Sequence, residues 1–319
     1  MTLRLSLACT MSDRTRPILE GRVTIPGIEL NQVPCEPEDM FRRALNEKDF
    51  QVTELSMGSH ITTTARGDAA YTAIPIFLSR AFRHSAIYIR TDRGIRSAAD
   101  LAGRTIGIPE YQQTAALWVR GFLREHYGVD TRGIAWRTGQ ERIAITLPPG
   151  HNVQALGKPL EAALEAGDID AFIGPRPPAC YLNRSAPVDR LYPDYMREEI
   201  AWHGKTGFFP IMHCVAIRKD VAEQHPEVPL ALFRAFTEAR DLALHDLKQV
   251  NFLRVALPWI AVAAEEQTKL MGGDPWPYGF QRNRDEVAAM IRYALADGLV
   301  TNPITPENLF HPSVFQEVA

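Results

Sequence analysis

The sequence predicts a two-lobed α/β protein with a hinge, a central cleft and a helical C-terminal region. Three observations carry this expectation. At 319 residues the chain exceeds the size at which one hydrophobic core usually stops growing. Short apolar runs alternate with helical stretches, the mark of βαβ crossovers and a largely parallel sheet. The alternation restarts after Ser85–Arg90, and a strand-like run returns at Phe208–Ile217, so the chain leaves one lobe, builds a second and comes back. The expected division is residues 1–88 plus 214–319 for one lobe and 89–213 for the other. Crossings are expected near Ile87–Arg90 and Pro210–Val215. Two such crossings make a hinge, and closure around a ligand is the motion they allow.

Taken in order, Leu3, Leu5 and Leu7 alternate with polar residues, which is strand periodicity over Leu3–Cys9. A polar turn at Asp13–Pro17 and a strand near Ile28–Val33 follow. Pro37 suits the first position of a helix whose Met40, Phe41, Ala44 and Leu45 share one face. Strand Phe50–Leu55, a helix over Ser56–Ala65 and strand Tyr71–Phe77 complete the first run. In the second run, Ser97–Glu110 reads as a capped turn of helix, a glycine turn and a buried strand. Helix Gln112–Tyr127 stops at Gly128, as a C′ glycine requires. Strand Ile134–Thr138 leads to a proline- and glycine-rich loop through Asn152. Helix Pro159–Ala166 and strand Ala171–Gly174 then end in Pro175–Pro178. Beyond Pro226 the pattern is helical over Val228–Leu247, Phe252–Met271 (kinked at Pro258) and Asn283–Asp297.

Composition narrows the function classes. Hydrophobic content of 45% and charged content of 23% are those of an ordinary globular chain, and a formal charge of −3 leaves no basic footprint for nucleic acid. No polybasic segment suggests a membrane partner, and no apolar run is long enough to span a bilayer. The first residues lack a basic region and a cleavage site, so a cytoplasmic protein is expected, although a chain already trimmed of its signal would read the same. Cys9, Cys35, Cys180 and Cys214 have no CxxC spacing and are expected to be reduced structural thiols. HExxH, P-loop, GxGxxG and GxSxG motifs are absent. No metal is expected, since the spacing of a metal site is missing, although His60, His84 and His213 are histidines that folding could bring together.

In open α/β sheets ligands sit beyond the carboxyl ends of the strands. The polar residues just past each expected strand are Asp13, Arg14 and Arg16; Glu54, Ser56 and Ser59; Arg80, Arg83, His84 and Ser85; Tyr111, Gln112 and Thr114; Arg176; and His213. This set is rich in arginine and draws on both lobes, which points to a small anionic ligand. The Tyr111–Thr114 stretch opens a helix directly after a strand, where free N–H groups favour anions; simple capping by Gln112 or Thr114 would look alike. Arg80 and Arg83 offer guanidinium forks suited to a carboxylate, with solvated surface arginines as the alternative. His84 and His213 flank the two crossings and could face one another, with hydrogen-bonded structural histidines as the alternative. Arg176 is held stiff by flanking prolines. Trp276 and Tyr278, in PWPYG, are placed either to wall the cleft for an aromatic ligand or to pin a surface loop.

The stretches SAADLAGRTIGIPE (Ser97–Glu110) and LEAGDIDAFIG (Leu164–Gly174) resemble type II periplasmic solute-binding proteins. A closer resemblance, over nearly the whole chain, is to the 4,5-dihydroxyphthalate decarboxylase family, which uses that fold for catalysis. It is carried by DRTRPILEG (Asp13–Gly21), ELS (Glu54–Ser56), SRAFRHSAIYIR (Ser79–Arg90), GIPEYQQTAALWVRG (Gly107–Gly121), PRPP (Pro175–Pro178), TGFFPIMH (Thr206–His213), PW (Pro258-Trp259) and WPYG (Trp276–Gly279).

The resemblance implies a periplasmic-binding-protein-like fold and loss of carbon dioxide from a dihydroxylated benzene dicarboxylate, giving a dihydroxybenzoate such as protocatechuate. Direct cleavage would leave an aryl anion that the π system cannot stabilise. Ring protonation with loss of the para hydroxyl proton avoids it, and no organic cofactor is then required. Such a site needs cations, a base and an acid. The implied carboxylate clamps are Arg16, Arg83 and Arg176 with the Gln112–Thr114 helix start; Arg80, Ser85, Tyr111 and Trp276 complete the substrate-binding set. His84 and His213 are the implied acid and base, with Glu54 orienting a histidine or accepting from a phenol. The expected partner is a small aromatic carboxylate and the expected assembly a homo-oligomer. The alternative from another class is a non-catalytic solute-binding or sensor protein for an aromatic carboxylate.

Overall fold

The structure is a computed structural model that describes residues 2–317. The described residues form eleven strands, divided between two mixed sheets. They are β1 (Leu3–Ala8), β2 (Ile28–Gln32), β3 (Val52–Ser56), β4 (Tyr71–Arg80), β5 (Ile87–Arg90), β6 (Thr105–Ile108), β7 (Ala135–Thr138), β8 (Val153–Ala155), β9 (Ala171–Ile173), β10 (Val188–Arg190) and β11 (Ile211–Arg218). The first sheet has the order β2-β1-β3-β11-β4 and the second β10-β5-β9-β6-β7-β8. Strand β5 lies wholly in the second sheet and β11 wholly in the first. The chain therefore crosses between lobes in residues 81–86 and returns between β10 and β11.

Parallel pairing holds where helical crossovers connect strands, as in β1 with β2 and β3, and β6 with β7 and β9. The returning strand β11 runs antiparallel to both β3 and β4, and its register against β4 shifts on either side of His213. All five residues of β3 are buried, as expected of a strand covered on both faces. Helix Met57–Arg66 follows β3 without a loop and ends at Gly67 in the left-handed region.

The lobes are pressed together. Helix Thr114–Tyr127, which belongs to the second sheet's crossover, packs against the C-terminal helix Phe280–Ala296, with Gly121 directly against the Tyr293 ring. Arg120 Nε donates to Asp297 Oδ2 at 2.7 Å with both side chains buried, and the Trp118 indole N–H donates to the Ile211 carbonyl at 2.9 Å. One connected apolar cluster runs from Leu5 and Val52 through Trp118 and Phe122 to Tyr293. A smaller one around Tyr88, Leu164 and Phe172 lies within the second lobe.

Several details depart from the sequence expectation, among them strands β8 and β10, which it did not include. The stretch Phe252–Met271 is helical only over Ile260–Leu270, because Pro258 removes a backbone donor and biases its predecessor away from helix. A helix at Tyr195–Thr206, capped by Gly207, stands where the sequence suggested no element.

Candidate functional site

At the cleft end of the first sheet, β3 and β11 lie side by side, with His213 opposite Ser56. His213 Nδ1 meets Glu54 Oε1 at 2.6 Å, and the Thr10 backbone N–H, just past β1, donates to Glu54 Oε2 at 2.8 Å. Glu54 is buried, while the His213 side chain keeps 23% of its surface exposed. Burial alone would raise the Glu54 pKa. The hydrogen bond and charge of His213 and the Thr10 N–H outweigh it and hold this carboxyl below its usual range. A carboxylate on Nδ1 leaves Nε2 as the free end of the ring. This is the arrangement of a base whose tautomer and orientation are set by a buried anion. The Phe41 ring stands edge-on to His213 with centroids 4.8 Å apart.

The second lobe supplies the facing wall. Glu110 accepts from Arg142 Nε at 2.6 Å, from Arg142 Nη2, and from Gln112 Nε2 at 2.6 Å. The Arg142 guanidinium lies over Phe41 at 5.5 Å from the ring centroid, so Phe41 touches both His213 and Arg142. Glu141 Oε1 accepts the Tyr111 N–H at 2.9 Å. Four polar atoms of this wall are buried without a hydrogen-bond partner: Gln112 Oε1, Gln113 Oε1, Glu141 Oε2 and Arg142 Nη1. Leaving such a group unsatisfied costs about 1–3 kcal/mol each. Four together, two residues from each of two adjoining loops, leave this wall able to take hydrogen bonds from a ligand.

The lobes meet at two helix starts. Thr114 Oγ1 accepts the Gly58 N–H at 2.9 Å and lies 2.9 Å from Ser56 Oγ, so an N-terminal donor of one helix is satisfied by the first residue of another. Only glycine allows this approach: a Cβ on residue 58 would stand 2.2 Å from the Gln112 carbonyl oxygen. Arg66 also reaches across to the Ala144 carbonyl, and Arg176 pairs with Glu38 at 2.9 Å on the surface.

Of the residues expected at the site, the structure brings Glu54, His213, Tyr111, Gln112 and Thr114 to this seam. His84 is elsewhere. It stacks on Phe122 (4.3 Å, 4°) inside a box of Tyr127, Tyr192 and Trp202, and burial lowers its pKa to about 4, so it is neutral at physiological pH. It does not face His213. Arg80 is fully buried and occupied by the Phe209 and Pro277 carbonyls, Glu286 and Asn283, a brace between the hinge and the C-terminal helix. Arg83 Nε donates to Met212 Sδ at 3.3 Å, with burial lowering its pKa to about 10. The Ser85 N–H donates to Glu199. Arg16 is an exposed surface residue near Glu20, and Arg176 is 69% exposed. Trp276 donates to the Phe77 carbonyl and carries the Arg14 guanidinium at 4.0 Å over its ring. His60 Nε2 donates to the Leu309 carbonyl at 2.8 Å, far from convergence with the other two histidines. Among the described residues no three His, Cys, Asp or Glu side chains gather as a metal ion would need.

Arg142, Glu110, Glu141 and Phe41 were not singled out by the sequence. The available signal was position, since a loop following a parallel strand lies at the sheet's carboxyl end. A cavity of ≈ 650 Å³ lies apart from the Glu54–His213 pair, between helix Tyr195–Thr206 and the C-terminal helices, with Trp276 and Phe209 in its wall. Its arginines, Arg14 and Arg240, are already paired with Asp13 and Asp241. Among the described residues, four unpartnered atoms gather at the seam against Arg14 Nε alone in the cavity wall, which favours the seam as the ligand site.

No family model matches the chain. A curated protein of Comamonas testosteroni named 4,5-dihydroxyphthalate decarboxylase is 40% identical over 320 residues, covering 98% of this chain and 97% of the relative. A second, from Pseudomonas putida and of the same name, is 41% identical over 210 residues, covering 63% of this chain and 81% of the relative. Among solved structures, the periplasmic aliphatic sulphonate binding protein SsuA of Escherichia coli superposes with a TM-score of 0.55 at 14% identity, over 99% of both chains. The alkanesulfonate-binding SsuA of Xanthomonas axonopodis pv. citri gives 0.53 at 15% identity, over 97% of this chain and 98% of that one. The Candida albicans CA3427 product, described as having the generic periplasmic binding protein fold, gives 0.52 at 12% identity, over 100% and 99%. The two-lobed architecture is therefore that of the periplasmic binding proteins.

Proposed function

The chain belongs to the 4,5-dihydroxyphthalate decarboxylase family, and from that premise we propose that it converts 4,5-dihydroxyphthalate to protocatechuate and carbon dioxide at the seam between its lobes. It is a carboxy-lyase by this membership. The observation that carries the site assignment is the Glu54–His213 pair facing, across Phe41, the Arg142–Glu110 wall.

The chemistry follows from these groups. Lobe opening admits the substrate, and closure sets its ring against Phe41. His213 Nε2 takes the proton of the hydroxyl para to the departing carboxylate, while Glu54 stabilises the imidazolium. Electron density pushed into the ring lets the carbon bearing that carboxylate accept a proton. Carbon dioxide then leaves from the quinoid intermediate, and aromaticity returns. Arg142 Nη1 and the N–H groups in the first turn of helix Thr114–Tyr127 suit the two carboxylates. Closure also excludes water, which strengthens each of these charge interactions.

The partner is a small aromatic carboxylate; a formal charge of −3 gives nucleic acid no footprint. A cytoplasmic location fits four free cysteines. Among the described residues no helix is long and apolar enough to cross a membrane. A homo-oligomer is supported by the exposed apolar run of Val250, Phe252, Leu253, Leu257, Trp259 and Val262, which light scattering of the purified protein tests. The activity is tested by incubation with 4,5-dihydroxyphthalate, with and without chelator, following carbon dioxide and dihydroxybenzoate. Tight binding with the ligand recovered unchanged would overturn the decarboxylase reading in favour of a binding protein.

A further inference from the structure

The reaction needs a second proton-handling group, and His84, sealed in its aromatic box, does not stand at the seam. We infer that Glu141 is the acid that protonates the ring carbon, an assignment that rests on the decarboxylase reading of the seam.

Three observations place it there. Glu141 directly precedes Arg142, whose guanidinium covers the same Phe41 ring that touches His213, so its loop forms the wall opposite the base. Its carboxyl is fixed at one end, where Oε1 accepts the Tyr111 N–H at 2.9 Å; its other oxygen, Oε2, is buried with no well-formed hydrogen bond, the Thr138 hydroxyl lying beside the carboxyl. The neighbouring carboxylate, Glu110, is consumed by Arg142 and Gln112, so Glu141 has no cation of its own within ion-pair distance.

The charged groups around it are Glu110 and Arg142 in the same wall and Arg120 on the helix behind it, itself bound to Asp297. Burial pushes the Glu141 pKa up to about 7. The Tyr111 N–H opposes this, the Glu110 charge adds to it, and the Thr138 hydroxyl and Arg120 oppose it. A carboxyl so placed is about half protonated at neutral pH and can release its proton, as a general acid must.

The step balances without any co-reactant. The O–H bond of Glu141 breaks as a C–H bond forms at the ring carbon, using the electron pair pushed in from the phenolate generated by His213. The C–C bond to the carboxylate then breaks, and its pair restores the aromatic ring as carbon dioxide departs. His213 returns its proton to the phenolate, and solvent reprotonates Glu141.

The test compares wild type, Glu141→Gln and Glu141→Asp on 4,5-dihydroxyphthalate from pH 5.5 to 9. Wild-type kcat should fall as pH rises through about 7, where the acid loses its proton. Glu141→Gln should lose on the order of 100-fold or more in kcat with KM changed little, and should lose the alkaline limb of the profile. Glu141→Asp should recover part of the rate and restore that limb. A wild-type kcat flat from pH 6 to 9, or a folded Glu141→Gln retaining near-normal kcat, would overturn the assignment while leaving the decarboxylase intact. Absence of wild-type turnover would instead sink the decarboxylase reading itself.

Discussion

Gly58→Ala isolates lobe closure from everything else in the protein. A Cβ at residue 58 would stand 2.2 Å from the Gln112 carbonyl oxygen, 3.1 Å from the Thr114 nitrogen and 3.3 Å from the Thr114 Cα. All three neighbours are backbone, so none can swing aside, and relief requires the lobes to part by roughly 1 Å. Parting breaks the Gly58–Thr114 and Ser56–Thr114 hydrogen bonds, about 0.5–1.5 kcal/mol each. It also withdraws Arg142 from Phe41 and His213. A displacement of about 1 Å costs on the order of 100-fold in rate, so kcat/KM should fall by that factor, equivalent to about 2.7 kcal/mol of transition-state stabilisation. Residue 58 lies in the first turn of a helix, where alanine is preferred to glycine by up to about 1 kcal/mol. The variant should therefore melt cooperatively and bind substrate weakly, and small-angle scattering should show a more open average shape. Turnover within threefold of wild type would refute closure at this contact as the step that assembles the site.

Two further outcomes follow from buried titratable groups. Glu54→Gln keeps the shape of the buried partner but removes its charge, and kcat should fall by on the order of 100-fold or more; a rate unaffected by the change would remove His213 from the base role. His60 is buried against the Leu309 carbonyl, and burial holds its pKa at about 4. Its folded value lies below its unfolded one, so the unfolded chain binds the proton first as pH falls. Stability is then complete above about pH 6.5 and declines toward pH 4, by up to about 1.4 kcal/mol per pH unit from this residue. Urea melts at several pH values should show His60→Gln with a shallower slope in that window, and an unchanged slope would contradict the burial argument.

How far the sequence reaches is clearest from particular residues. Alternation and glycine stops made β1, β3, the helix ending at Gly128 and the returning strand β11 legible, because these signals are local and the side-chain period follows backbone geometry. The helix at Tyr195–Thr206 was not legible; its packing face is supplied by Phe82 and the aromatic box around His84. Helix propensity alone is a weak signal when a distant surface completes the amphipathic face.

The same division holds at the site. Residue chemistry and strand-end position led to the expectation of arginines and two histidines from both lobes around a cleft, while motif resemblance determined the family. Of the expected site residues the structure brings only Glu54, His213, Tyr111, Gln112 and Thr114 to the seam. Which histidine meets Glu54 was decided only by the antiparallel return of β11 beside β3, a pairing between residues far apart in the chain. Arg80 and His84, adjacent in sequence to the crossing, were turned into the interior by the C-terminal helix and the aromatic box. Arg142, in a loop with no regular pattern, was brought over the Phe41 ring beside His213 by lobe packing, with Glu141 next to it in the chain. Local sequence specifies elements through short-range sterics and periodicity. Burial, partners and proton affinity depend on what distant segments place beside a side chain, and only the tertiary structure decides that.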